Sequence, residues 1–152
     1  NKTRWEPIKT RIESVQGGGL DLKNIHAGGL CGVATPMDPF ITKADDLSGQ
    51  VMAREGELPP IWEVFNLDLN LLEHMVASGD GVAEKVRPLQ PNEMLMINSA
   101  TATSVGQVSA IKGKKATIRL RLPICALEGS RITLSRRIGT RWRLIGHGTI
   151  TG

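Results

Sequence analysis

Residues 65–71 read FNLDLNL, and the alternation in that stretch decides the class of fold. Phe65, Leu67, Leu69 and Leu71 fall on one side of an extended chain, and Asn66, Asp68 and Asn70 fall on the other. Successive side chains of a strand point to opposite faces, so this is the pattern of a half-buried strand. The same period returns twice. Ile118, Leu120 and Leu122 alternate with Thr117, Arg119 and Arg121, and Ile132 and Leu134 alternate with Arg131, Thr133 and Ser135. Both later runs predict a sheet with aliphatic side chains on one face and arginines on the other. Turn clusters separate the runs: Gly17-Gly18-Gly19, Thr35 to Pro39, Ser78 to Gly81, and Lys112-Gly113-Lys114. One segment has a second period. Leu71, Leu72, Met75 and Val76 would also line a helix face, so a strand over Ile61–Met75 is expected to end in a helical turn.

Composition agrees with an all-β chain. Seventeen glycines and eight prolines in 152 residues punctuate short segments, and hydrophobic residues at 40% suffice for a core. Aromatic residues reach only 3%, so that core must rest on Leu, Ile, Val and Met. The sequence Glu55 to Pro60, EGELPP, cannot propagate a strand ladder and predicts a boundary, with domains at 1–58 and 59–152. The first piece is short for an independent barrel and reads as part of a domain; the second reads as a complete one.

Charge is unevenly placed. Up to Pro59 seven basic residues face eight acidic ones; from Pro60 onward twelve face seven. Between Lys112 and Arg143 lie ten basic residues and one acidic residue, Glu128. Such a concentration attracts polyanions, but solvated strand faces carry arginines too, and on charge alone neither reading prevails. Arg136, Arg137, Arg141 and Arg143, with Lys112, Lys114 and Lys115, are the residues suited to phosphate contacts. Trp142 lies between Arg141 and Arg143, so strict alternation sends it to the core.

Catalytic chemistry finds no foothold. The Gly113-Lys114 pair is followed by Lys115 and has Val108 where a phosphate loop needs its first glycine. Thr42-Lys43-Ala44-Asp45 has the outline of a guanine-recognition tetrapeptide, but lacks a phosphate loop and a βαβ context. His26, His74 and His147 show no metal-ligand spacing with Cys31 and Cys125. The two cysteines sit in apolar surroundings and are expected to be buried hydrophobes. No catalytic residue, metal site or cofactor is therefore assigned. No apolar run approaches the ~18 residues of a membrane span, and a soluble, cytoplasmic chain without membrane contact is expected. The first residue is Asn1, which suggests that something upstream was removed or never included. The glycine-rich run Ala27 to Val33 has two readings: a backbone surface that a ligand end group can lie against, or a turn with a bulge entering a strand. The residues themselves favour the turn.

Several stretches resemble the gamma subunit of archaeal and eukaryotic translation initiation factor 2. They are WEPIKT (5–10), GGLCGVATPMDP (28–39), TKADDLSGQV (42–51), LPPIWE (58–63), PNEMLMINSATAT (91–103) and LPICALEGSRITLSRRIGTRWRLIGHG (122–148). Elongation factor Tu is similar but fainter. The resemblance implies two small β-barrels of the translational-GTPase type, the first incomplete at its N-terminus. It implies a fragment of a GTPase subunit that carries methionyl initiator tRNA to the small ribosomal subunit, with GTP and Mg held by a domain this chain lacks. By comparison with elongation factor Tu, Ser14, Val15 and Gln16, with Gly28, Gly29, Leu30 and Cys31, would border the pocket for the 3′ end of the tRNA. Leu30 stands where that factor has a polar residue, so contact there would run through the backbone. The basic residues from Lys112 to Arg143 would meet ribosomal RNA. The alpha subunit would dock on the first barrel, with Gly17 to Ile25 as the candidate stretch, and the beta subunit on the absent GTPase domain. Other readings are a β-barrel protein-interaction module and another translational GTPase, such as the selenocysteine-specific elongation factor. A first barrel lacking strands would leave Ile12, Val15 and Val33 uncovered.

Overall fold

The computed structural model describes residues 5–26, 28–75 and 84–152. Ala27 of the glycine run, Val76 of the helical stripe and the Ser78–Gly81 turn cluster lie outside the described residues. The chain divides into two compact units, one up to Leu47 and one from Ser48 to Gly152.

The first unit holds a three-stranded antiparallel sheet: β1 (Ser14–Gly17) lies between β2 (Leu20–Leu22) and β3 (Gly32–Ala34). Gly18 and Gly19 have φ of 60° and 80°, which is why the β1–β2 turn is written in glycine. A short 3₁₀ segment follows at Pro39–Asp45, where the Asp38 carboxylate accepts a hydrogen bond from the Phe40 N–H at 2.9 Å. The Thr42–Asp45 tetrapeptide falls in this segment, which kinks at Lys43 and Ala44. Among the described residues of this unit none is buried, and Ile12, Leu20 and Phe40 are exposed. Val15 and Val33, paired across β1 and β3, are half-buried.

The second unit is a closed barrel with strand order β4-β7-β6-β5-β8-β9. Its strands are β4 (Ile61–Leu71), β5 (Met94–Ser99), β6 (Ala102–Lys112), β7 (Lys115–Cys125), β8 (Arg131–Ile138) and β9 (Arg141–Ile150). All ladders are antiparallel, and β9 closes the cylinder on β4 with Leu69 opposite Gly148. The alternating runs place their aliphatic members inside, except Leu122 at the end of the β7 run, which is 54% exposed. Phe65, Leu67, Ile97, Ile118, Ile132 and Leu134 are buried, while Arg119, Arg121 and Arg131 are exposed on the outer face. The Trp62 indole donates to the Ala126 carbonyl at 2.8 Å, tying the entry of β4 to the exit of β7. After Leu71 the chain does not turn into a helix. It bends at Glu73 and stays non-helical, with Leu72 N–H bonded to the Ile145 carbonyl and Met75 N–H to the Glu84 carbonyl. Those backbone partners outcompete the helical period of residues 71–75.

Candidate functional site

Two strand-end hairpins carry the basic residues, and the stagger of the barrel decides how they relate. The β6–β7 turn is only Gly113 and Lys114, with Gly113 at φ 60°, so Lys112 and Lys115 face each other across it. Lys115 pairs with Asp68, Asp68 with Thr149, and Thr149 with Arg131. This outer row brings Arg131 level with the lysines. Arg141, at the far end of β9 from Thr149, stands roughly 25 Å away along the strand at 3.3 Å per residue. The stretch from Lys112 to Arg143 is therefore two basic groups on different sectors of the barrel. In the first, Lys112, Lys114 and Lys115 are exposed, and Arg119 and Arg121 extend the same face along β7. A shallow concavity beside them is lined by Asn66, Lys112, Lys115, Thr117 and Glu128. Lys115 lies 3.8 Å from Asp68 with both side chains well exposed, a contact worth little in water.

In the second group the four arginines part company. Arg136 is 3% exposed and is not a phosphate ligand on a free surface. Its Nε and Nη2 fork onto Glu93, its Nη1 donates to the Arg87 carbonyl at 3.0 Å, and its Nη2 also donates to the Pro88 carbonyl at 3.3 Å. Arg143 lies opposite Arg136 on the neighbouring strand and is half-buried. Only Arg137 and Arg141 are exposed.

Trp142 is not in the core. A register shift between Leu134 and Ser135 takes the pairing from Leu134–Gly146 to Ser135–Leu144, leaving Ile145 as the extra residue of a bulge. One extra residue reverses inside and outside for the rest of the strand. Ile145 turns inward with no exposure, and Trp142 joins Arg137 on the outer face at 37% exposure.

The residues proposed for a tRNA end are brought side by side. Gln16 pairs with Gly32, so the loop 28–31 leads directly into the strand beside Ser14–Gln16. Gly28 and Gly29 have φ of 100° and 81°, Leu30 is 94% exposed, and Gln16 donates to the Asp21 carboxylate at 2.7 Å. Cys31 is exposed rather than buried: among the described residues of its unit none is buried. Cys125 is half-buried; its Sγ donates to the Pro59 carbonyl, and burial pushes its thiol pKa up. Both are free thiols. A water-soluble alkylating reagent at neutral pH is expected to modify Cys31 while Cys125 remains largely unreacted, as peptide mass spectrometry would read out. Equal rates would contradict the burial of Cys125.

Among the described residues no group of His, Cys, Asp and Glu is arranged to hold a metal ion, and no helix is long and apolar enough to cross a membrane. The family described as "Initiation factor eIF2 gamma, C terminal" matches residues 63–150, from the third residue of β4 to the end of β9. The chain belongs to this initiation factor eIF2 gamma family. It is similar to translation initiation factor 2 subunit gamma of Methanocaldococcus jannaschii, with 47% identity over 152 residues covering 100% of this chain and 36% of that protein. The subunit of the same description from Halobacterium salinarum is 45% identical over 150 residues, covering 99% and 36%. That of Pyrococcus abyssi is 40% identical over 149 residues, covering 98% and 36%. This eIF2 gamma segment thus spans just over a third of the length of these relatives. Sequence reasoning missed the apolar side chains that share the outer face with Arg137. The bulge that puts them there leaves no mark in the alternation.

Proposed function

We propose that this chain is part of the gamma subunit of a cytoplasmic translation initiation GTPase that carries methionyl initiator tRNA to the small ribosomal subunit. The chain catalyses nothing; GTP and Mg belong to the part of the subunit it lacks. Ser14–Gln16 and Gly28–Cys31 border the tRNA 3′ end, the alpha subunit docks near Gly17 to Ile25, and the beta subunit docks on the absent GTPase domain. The membership in the eIF2 gamma family carries this reading. Two features support it. The exposed backbone of the glycine loop beside β1 is open to a flat polar end group, and among the described residues the lysines of the β6–β7 hairpin meet only the exposed Asp68 at salt-bridge distance. Phosphate contact with ribosomal RNA rests on Lys112, Lys114 and Lys115, continued by Arg119 and Arg121.

Reversing the charge of Lys112, Lys114 and Lys115 to Glu in the full-length subunit tests this. Affinity for small ribosomal subunits should fall, and the slope of log affinity against log salt should flatten by about 2–3, since each lost phosphate contact removes roughly 0.7–0.9. An unchanged slope and affinity would remove the RNA role of this hairpin.

A further inference from the structure

One carboxylate stands alone in the basic stretch. Glu128, in the loop between β7 and β8, is the single acidic residue between Lys112 and Arg143. Among the described residues no ion pair or hydrogen bond engages its side chain. It lines the same concavity as Lys112 and Lys115, a space of about 470 Å³, which falls in the roughly 300–1,000 Å³ range of small-ligand sites. The floor of that space is built in advance. Asn66 accepts from the Thr117 hydroxyl at 2.8 Å and donates to the Gly152 carbonyl at 2.6 Å. Glu128 Oε1 lies beside Gly152, 3.5 Å from where a methyl group on that glycine would sit. The room comes from Ala110. A register shift between Val108 and Ala110 leaves Ser109 as the extra residue of a bulge. Val108 therefore points inward, while the small Ala110, paired with Thr117, is exposed on the outer face.

We infer that this concavity holds one unpaired guanine nucleotide of a bound RNA strand, its phosphates on Lys112 and Lys115 and its base edge on Glu128. The inference rests on the RNA role proposed for the hairpin and assigns the nucleotide that the hairpin takes. A carboxylate repels a phosphate backbone, so on a surface that follows charge alone Glu128 works against binding. It becomes favourable where it meets the N–H groups of a base. An ionised carboxylate only accepts, through two oxygens. Guanine matches it with two adjacent donors, N1–H and the N2 amino group. Adenine and cytosine set a ring-nitrogen acceptor beside the amino group, and uracil flanks its one N–H with two carbonyls. Each of those three brings a lone pair against the carboxylate. In a duplex the guanine edge is already paired, so the strand is single where it meets Glu128. Lys114, Arg119 and Arg121 continue the positive surface past the concavity and suit the flanking phosphates of a strand rather than a free nucleotide.

The test uses the full-length subunit with one equivalent of GDP in its GTPase domain. Fluorescence anisotropy measures its affinity for labelled hexauridine and for hexauridines carrying one internal guanine, adenine or cytosine. The guanine RNA should bind roughly tenfold more tightly than the other three. Glu128→Gln keeps the shape and removes a negative charge. It should abolish the preference and weaken the guanine RNA, whereas simple charge repulsion would make it tighten all four. Ala110→Phe fills the concavity with no change of charge and should remove the preference too. Both positions are exposed, so neither substitution should unfold the barrel. Free GMP should compete roughly tenfold more weakly than the guanine RNA, because it lacks the flanking phosphates. Equal competition by GMP overturns the assignment to a strand. Equal binding of the four RNAs or binding of none, tighter binding by Glu128→Gln, or an intact preference in Ala110→Phe each overturn the proposal. The lysine variant reads the RNA role separately. Loss of ribosome affinity there, with no guanine preference here, would leave the hairpin as a contact to backbone alone.

Discussion

Arg136→Met is expected to destabilise the barrel by about 3–5 kcal/mol, the cost of leaving one half of a buried ion pair without its partner. Glu93 would keep its charge with its side chain only 11% exposed and one hydrogen bond left, from the Gln90 N–H at 3.0 Å. The Arg87 and Pro88 carbonyls would lose their donors as well. These contacts hold the segment from Val86 to Glu93, whose Val86 and Leu89 are buried in the core cluster. Losing the arginine should therefore loosen the segment along with the pair. Denaturant unfolding followed by tryptophan fluorescence reads the loss. Combining Arg136→Met with Glu93→Leu should restore most of the stability, because an apolar pair of similar size avoids the burial of a lone charge. The salt dependence of ribosome binding should not move in the double variant. A single variant within 1 kcal/mol of the parent would show that water reaches Glu93 freely and that the pair is not buried in solution.

The split between Arg136 and Arg137 shows where sequence reasoning reached its limit. FNLDLNL and its two companions gave away strand and core for β4, β7 and β8, since period two acts locally and each run carries its own contrast. The face failed only at run ends, where Leu122 is exposed and Ser135 is buried. The partner of Arg136 lies 43 residues away in sequence, and only the β5–β8 register brings the two together. A bulge is equally silent in a single strand: the run RWRLIGHG alternates acceptably with or without it. Trp142 was therefore placed on the wrong face, and the apolar sector beside it went unseen. Cys31 failed for another reason. Its neighbours Leu30 and Val33 suggest burial, but among the described residues of that unit none is buried. The glycine loop and β1 were paired through family resemblance, and the Gln16–Gly32 register brings them together.

The glycines of IGHG (145–148) make the second large expectation. Gly148→Ala should destabilise the barrel at or beyond the upper end of the 1–3 kcal/mol typical of overpacked cores, and Gly146→Ala should do the same. Both face inward where β9 closes the cylinder on β4. A methyl group at 148 would sit 2.5 Å from Leu67 Cδ1 and 2.6 Å from the Asp68 carbonyl oxygen; at 146 it would sit 2.5 Å from the Asn70 carbonyl oxygen and 2.9 Å from Leu71 Cα. Backbone atoms cannot rotate aside, so β4 itself would have to move, and with it the ladder from Leu67 to Leu71. Gly106→Ala is the informative comparison. Its methyl would meet only side chains, those of Ile118, Ile97 and Leu120. Rotamer shifts can absorb part of that clash, so its cost should be the smaller, about 1–3 kcal/mol. His147→Ala, half-buried between the two glycines and facing the other way, should cost within about 1 kcal/mol. The order Gly148 and Gly146 above Gly106, with His147 last, follows from which atoms lie opposite rather than from glycine flexibility. None of Gly106, Gly146 and Gly148 has a positive φ. If Gly106→Ala proved the most damaging of the four, seam closure against β4 would not be the reason for the IGHG motif.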